Sequence, residues 1–239
     1  MSVDPLVLMA EVDRATDRLL TTVAGFDGEP AVNAPSLLPG WTRGHVLAHV
    51  ARNADGLTNL LTWARTGVMS PQYASSRSRE ADIAAGAPRP PTEQLDDVRE
   101  SAAVFADAAA RMPAAGWSVL LDIPGAPQRA ARVVWRRLRE VEVHHVDLDA
   151  GYTSADWPDA FSHRLLHEVV AGFADRSDAP RLRLRPDGLG HELVIGDPDA
   201  APAVSGPAHA LAAWLTGRSS GGGLTVVPDA PLPVPPAWM

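Results

Sequence analysis

The 239-residue chain contains no cysteine. That absence removes disulfides, thiolate-ligated structural zinc and any protein thiol nucleophile. A metal bound here would be held by histidine and carboxylate, and thiol chemistry would take its thiol from a cofactor. An excess of positive charge is lacking too. Lys and Arg total 21 against 29 Asp and Glu, a formal net charge of -8, which argues against nucleic acid or anionic lipid as a main partner. No run of about 18 apolar residues occurs, so no transmembrane helix is expected. The segment Met1 to Leu6 has neither a basic stretch nor a continuous apolar one, so no secretory signal is read and a cytoplasmic location is expected.

What is present is an ordinary globular composition, 46% hydrophobic and 21% charged, long enough for one large domain or two small ones. Apolar residues at helical spacing mark a helix over residues 4 to about 26. A Pro/Gly loop, Asn33 to Trp41, follows, with Thr42 placed to cap a helix running to about Arg65. A short segment, Ser76 to Ala85, precedes the break at Pro88 to Pro91. Thr92 is then placed to cap a third long helix ending before Met112 and Pro113. Pro124 and Gly125 punctuate the chain before a fourth, over about 130 to 149. Four long helices joined by loops predict an up-and-down bundle over residues 1–155.

The character changes near Asp156 to Pro158. A helix over about 159 to 175 leads to a hairpin of Arg181–Arg185 and Glu192–Ile195. A helix over about 207 to 216 follows, ended by Gly217, and then a strand over Leu224–Val227. The Pro-rich tail from Pro228 to Met239 is expected to be extended. The fold class is therefore α+β, with a small C-terminal α+β domain over 156–239.

The fourth helix carries the densest chemistry. Glu140 and His144 are four apart, on one face and about 6 Å along the axis, where one ion can be gripped by both. In the second helix His45 and His49 share that spacing. His49 lies nearer the centre of the buried stripe of Val46, Val50, Asn53, Leu57, Leu60 and Leu61. A histidine facing a bundle interior opposite a Glu-x-x-x-His pair can complete a three-ligand site. The wheel leaves a competitor, because His145 sits closer than His144 to the stripe of Val134, Leu138, Val141 and Leu148. Glu142 with His145 is thus an alternative pair, and spacing does not choose between them. Buried histidines are also commonly satisfied core residues without an ion.

The segments Leu38 to Asn53 (LPGWTRGHVLAHVARN) and Leu138 to Asp149 (LREVEVHHVDLD) resemble the mycothiol-dependent maleylpyruvate isomerase family. Gly151-Tyr152 and the AWLTGR stretch, Ala213 to Arg218, extend the likeness over nearly the whole chain. The resemblance implies a DinB-like metal-binding four-helix bundle followed by a small α/β domain. It implies zinc held by the second histidine of Gly-His-x-x-x-His and by Glu-x-x-x-His, which here are His49, Glu140 and His144. His45 and His145 then become supporting or packing residues. It also implies active-site roles for Arg79 and Arg218, suited to a dianionic substrate because guanidinium binds carboxylate bidentately. Arg181, Arg183 and Arg185 alternate with leucines and read as the wet face of a strand.

Two histidines and one carboxylate leave an open coordination position, where a thiol would ionise. The implied reaction adds mycothiol thiolate to the cis double bond of maleylpyruvate, allows rotation, and eliminates the thiol to give fumarylpyruvate. The ion could instead polarise the substrate carbonyl. The expected partners are a small anionic substrate and a low-molecular-weight thiol, and the expected state is a monomer. The competing readings are a zinc-dependent mycothiol S-transferase acting on an electrophile and a non-catalytic metal-binding regulatory module.

Overall fold

The structure, a computed structural model, describes residues 4–123, 125, 127–199 and 201–238. It divides into two compact units, Met1–Gly151 and Tyr152–Met239, and its overall class is α+β. Pro124 and Met239 lie outside the described residues. Among the described residues no helix is long and apolar enough to cross a membrane.

In the first unit, helices α1 (Pro5–Ala24), α3 (Arg43–Thr66), α5 (Pro91–Ala110) and α6 (Arg132–Asp147) form the bundle. α3 packs on α5 and α6, and α1 packs on the other sides of α5 and α6, closing a four-membered ring. Short helices α2 (Gly28–Asn33) and α4 (Ser76–Gly86) lie against α3. A two-stranded ribbon, β1 (Leu120–Leu121) with β2 (Gln128–Arg129), precedes α6. The apolar stripe predicted for α3 is the buried one, with Val46, Val50, Leu57 and Leu60 inaccessible to solvent.

Asp4 caps α1 by accepting from Leu6 N at 2.9 Å. Thr42 caps α3, accepting from His45 N, and His45 Nδ1 accepts in return from Thr42 N at 3.3 Å, a reciprocal capping box. At α5 the expected cap is corrected. The helix begins at Pro91 with Pro90 before it, so Thr92 already sits within the first turn. Proline at the first helical position carries a φ already set for the helix and no N–H of its own, which starts the helix there without a capping side chain.

In the second unit, α7 (Asp159–Phe173) packs on α8 (Ala208–Leu215) and on a four-stranded sheet. The sheet order is β4 (Leu193–Ile195), β3 (Leu182–Pro186), β5 (Ala203–Gly206), β6 (Thr225–Val227). β3 and β4 form the predicted antiparallel hairpin, with Leu184 opposite Leu193. β5, not foreseen from sequence, runs parallel to β3 between β3 and β6. Leu182 and Leu184 point into the core, while Arg185 bonds Glu192 at 2.6 Å, so the arginine-bearing side is the wet face. Gly217 follows α8 with a positive φ of 76°, the left-handed turn expected just beyond a helix end.

Candidate metal centre

Residues 36–49 lock the start of α3 to the end of α6. Leu37 N donates to Asp147 O at 2.9 Å. Arg43 Nε donates to Leu148 O at 2.7 Å, and its Nη2 donates to Asp149 O, covering carbonyls that end α6. At Gly44, α3 passes so close to the end of α4 that a Cβ would overlap the Ala87 carbonyl oxygen. Gln94, buried on α5, donates to Gly86 O at 2.8 Å and Ala87 O at 3.2 Å, tying the same corner together. The Thr-Arg-Gly-His stretch is therefore a mechanical joint, and His49 follows it by one turn.

At that position His49 is 5% exposed and faces Glu140 and His144 on α6. Its Nε2 lies 3.1 Å from Glu140 Oε2 and 3.0 Å from His144 Nε2, and the third edge, His144 Nε2 to Glu140 Oε2, is 3.4 Å. Trp41 covers the cluster, its ring edge-on to His49 with centroids 5.7 Å apart. A tetrahedral ion with ligand bonds near 2.0–2.1 Å has ligand–ligand edges of about 3.3 Å. The three atoms thus trace one face of such a tetrahedron, and the cluster could hold a metal ion.

His144 is prepared from behind. Its Nδ1 lies 2.8 Å from Asp147 Oδ2, and Asp147 is fully buried. With Nδ1–H given to the carboxylate, the Nε2 lone pair points at the cluster, the carboxylate–histidine–metal arrangement that fixes tautomer and ring orientation. Sequence reading passed over Asp147. Its signal was the spacing Glu140, His144, Asp147 on one helix, where a carboxylate one turn beyond a histidine can reach that ring's other nitrogen.

The electrostatics are those of a coupled buried group. Burial, then the neighbouring His144, push His49 down to about 4. Burial also disfavours a charged His144, but hydrogen bonds to Asp147 and Glu140 outweigh it and raise its pKa. Burial would raise Glu140, yet its hydrogen bonds to His144 and His49 hold it well below the usual carboxylate range. The carboxylate is thus ionised and His49 neutral near pH 7, two of the protonation states that ligation needs.

The competing pair points elsewhere. Glu142, 1% exposed, receives Arg18 Nη2 of α1 at 2.5 Å, and His145 Nε2 lies 2.8 Å from Thr22 Oγ1, also on α1. Glu142 and His145 build the α1–α6 seam, while Glu140 and His144 face α3. His45 is used in the capping box and stacks on Trp41 with centroids 6.1 Å apart.

Arg79, on α4, reaches the cluster directly. Its Nη2 donates to His49 Nδ1 at 2.9 Å, and its guanidinium lies over Tyr73 at 5.7 Å. Arg218 lies in the second unit just after α8, where its Nη1 donates to Thr216 O at 2.7 Å and its guanidinium lies over Trp238 at 6.0 Å.

Comparison with known proteins adds to this geometry. The profile of the mycothiol maleylpyruvate isomerase N-terminal domain matches residues 12–149, more than half of the chain. The chain belongs to the mycothiol maleylpyruvate isomerase family. The C-terminal domain profile of the same family matches residues 156–237. A crystal structure of the mycothiol-dependent maleylpyruvate isomerase is similar with a TM-score of 0.91 at 28% identity, covering 99% of this chain and 98% of that one. A histidine-to-alanine mutant of that enzyme is similar with the same TM-score at 27% identity and the same coverage. No curated protein matches the chain. Fold and family thus agree over both units.

Proposed function

We propose that the chain is a zinc- and mycothiol-dependent cis–trans isomerase, cytoplasmic, converting maleylpyruvate or a similar anionic enone to its trans isomer. The observation that carries this is the triangle of His49, Glu140 and His144, with edges of 3.0 to 3.4 Å and no fourth ligand grouped with them among the described residues. Three ligands leave a tetrahedral ion one open position, the pattern of a catalytic site. Bound there, zinc supplies a position at which a thiol loses its proton or a substrate carbonyl is polarised.

The chain's own residues do the rest. Asp147 holds His144 in the tautomer that presents Nε2. Glu140 contributes negative charge that a divalent ion neutralises. His49 carries a chemical constraint. Arginine only donates, so the Arg79 bond to Nδ1 places the proton of neutral His49 on Nε2. An ion held by Nε2 would require that proton on Nδ1, which would release Arg79 from this hydrogen bond. Arg79 would then be a guanidinium beside the cluster, suited to a substrate carboxylate. Arg218 is proposed as a second arginine required for turnover, tested by Arg218→Gln.

The experiment incubates the zinc-loaded protein with maleylpyruvate, with and without mycothiol, and follows loss of enone absorbance. Turnover that needs both zinc and mycothiol and vanishes in His49→Ala supports the reading. Turnover indifferent to mycothiol, or surviving in His49→Ala with zinc lost, refutes it. Mycothiol conjugation of an electrophile without isomerisation would move the protein to the S-transferase class.

A further inference from the structure

On α6 the residues at four-residue steps are Arg132, Arg136, Glu140 and His144. Such a ladder stacks side chains along one face at about 6 Å per step. Its second half supplies two of the candidate metal ligands. Its first half is cationic, and Arg139 joins it one turn beyond Arg136. Arg132, Arg136 and Arg139, with Pro127 and Gln128, line a cleft of about 330 Å³. A cleft lined by one sign of charge concentrates counter-ions.

Glu140 offsets only part of the positive charge that these three arginines bring together. That carboxylate gives Oε2 to both histidines, and Oε1 lies 3.6 Å from Arg139 Nη2. Arg136 Nη2 donates to Gln72 Oε1 at 2.6 Å, while its Nη1 is closed off from solvent with no hydrogen-bond partner among the described residues. A buried guanidinium N–H without an acceptor is a deficit that a bound oxygen would fill. Burial lowers the pKa of Arg136, with Arg139 and Arg132 adding to the effect against Glu140 and Tyr73. Tyr73 also carries Arg79 on its ring at 5.7 Å, so the cleft and the Arg79 side of the cluster share a neighbour.

We propose that Arg132, Arg136 and Arg139 form a carboxylate subsite, with Arg136 as its principal contact, where a small dicarboxylate held at the His49–Glu140–His144 centre places its far carboxylate. The dimensions suit this: Arg136 is one helical step from Glu140, about 6 Å, comparable to the span of a short diacid. Guanidinium forks favour the planar, bidentate geometry of a carboxylate. The subsite rests on the reading of that centre as the place of reaction.

The test uses the full zinc-loaded chain with maleate as probe, its binding measured by calorimetry beside maleylpyruvate kinetics. Arg136→Gln is expected to weaken maleate binding roughly tenfold and to raise KM for maleylpyruvate by a similar factor, with a smaller change in kcat. Arg136→Lys restores part of the loss. Arg132→Gln, at an exposed position, gives a smaller loss of about threefold in the same direction. Zinc content and circular dichroism should match wild type in all three. Maleate binding unchanged in both glutamine variants overturns the subsite, even if wild type isomerises maleylpyruvate. Arginine-dependent maleate binding by a wild type that does not isomerise keeps the subsite and removes the isomerase reading.

Discussion

If the proposed centre holds an ion, the Asp147 bond to His144 sets how firmly it is held. Asp147→Asn keeps the side-chain shape but removes the charge that fixes the Nδ1–H tautomer, so zinc affinity should fall about 10- to 100-fold. Competition against a chromophoric chelator measures it, and an unchanged affinity would mean that His144 is oriented by packing alone. The pH dependence follows from the same ring. His144 has a raised pKa, so on acidification it takes up a proton from a pH above its ordinary 6.5 downward, and an imidazolium cannot ligate. Zinc affinity should therefore be full at alkaline pH and weaken as pH falls through neutrality, by up to about tenfold per unit. A flat affinity between pH 8 and 6 would contradict the assignment. The pairing on α6 shows how much was legible at this scale. Both Glu/His pairs were visible, and the helical wheel ranked His145 above His144. The structure turns the two pairs to different sides of α6, both buried, and an apolar stripe cannot say which buried side carries chemistry.

The two sides of α6 can be separated by mutation. Glu140→Gln should abolish tight zinc binding and leave the α1 seam intact. Glu142→Gln breaks the ion pair with Arg18, whose side chain is 36% exposed, and should cost about 1–2 kcal/mol of stability in urea with zinc stoichiometry unchanged. The reverse pattern would mean that the wrong pair has been given the ion. The joint at Gly44 makes a further prediction at this scale. Gly44→Ala forces α3 away from the Ala87 carbonyl and should destabilise the protein by about 1–3 kcal/mol, seen as a lowered melting temperature. A neutral effect would mean that the α3–α4 corner yields. The long helices were readable because each has an apolar period, and α3 also carries a start signal, its Thr42 cap. β5 was not, since Ala203 to Gly206 are mostly small residues without alternation, and the strand exists through its pairing with β3 and β6. α2 is six residues long, too short for a periodic signal.

For the whole molecule, the missing cysteine and the three-ligand cluster make one statement. A chain with no thiol of its own carries a histidine–carboxylate set of the kind that leaves a coordination position free. The bundle supplies rigidity by closing α1, α3, α5 and α6 into a ring, and the candidate ligands come from two adjacent members of that ring, α3 and α6. Sequence spacing offered two Glu/His pairs and the family resemblance chose between them, while the contact of Arg79 with His49 depends on how α4 packs, which no spacing records. X-ray absorption on the zinc-loaded protein tests the centre most directly. One ion per chain, with two imidazole nitrogens, one carboxylate and at least one non-protein ligand, is the predicted result. No bound zinc, or zinc closed by four protein ligands, would contradict it.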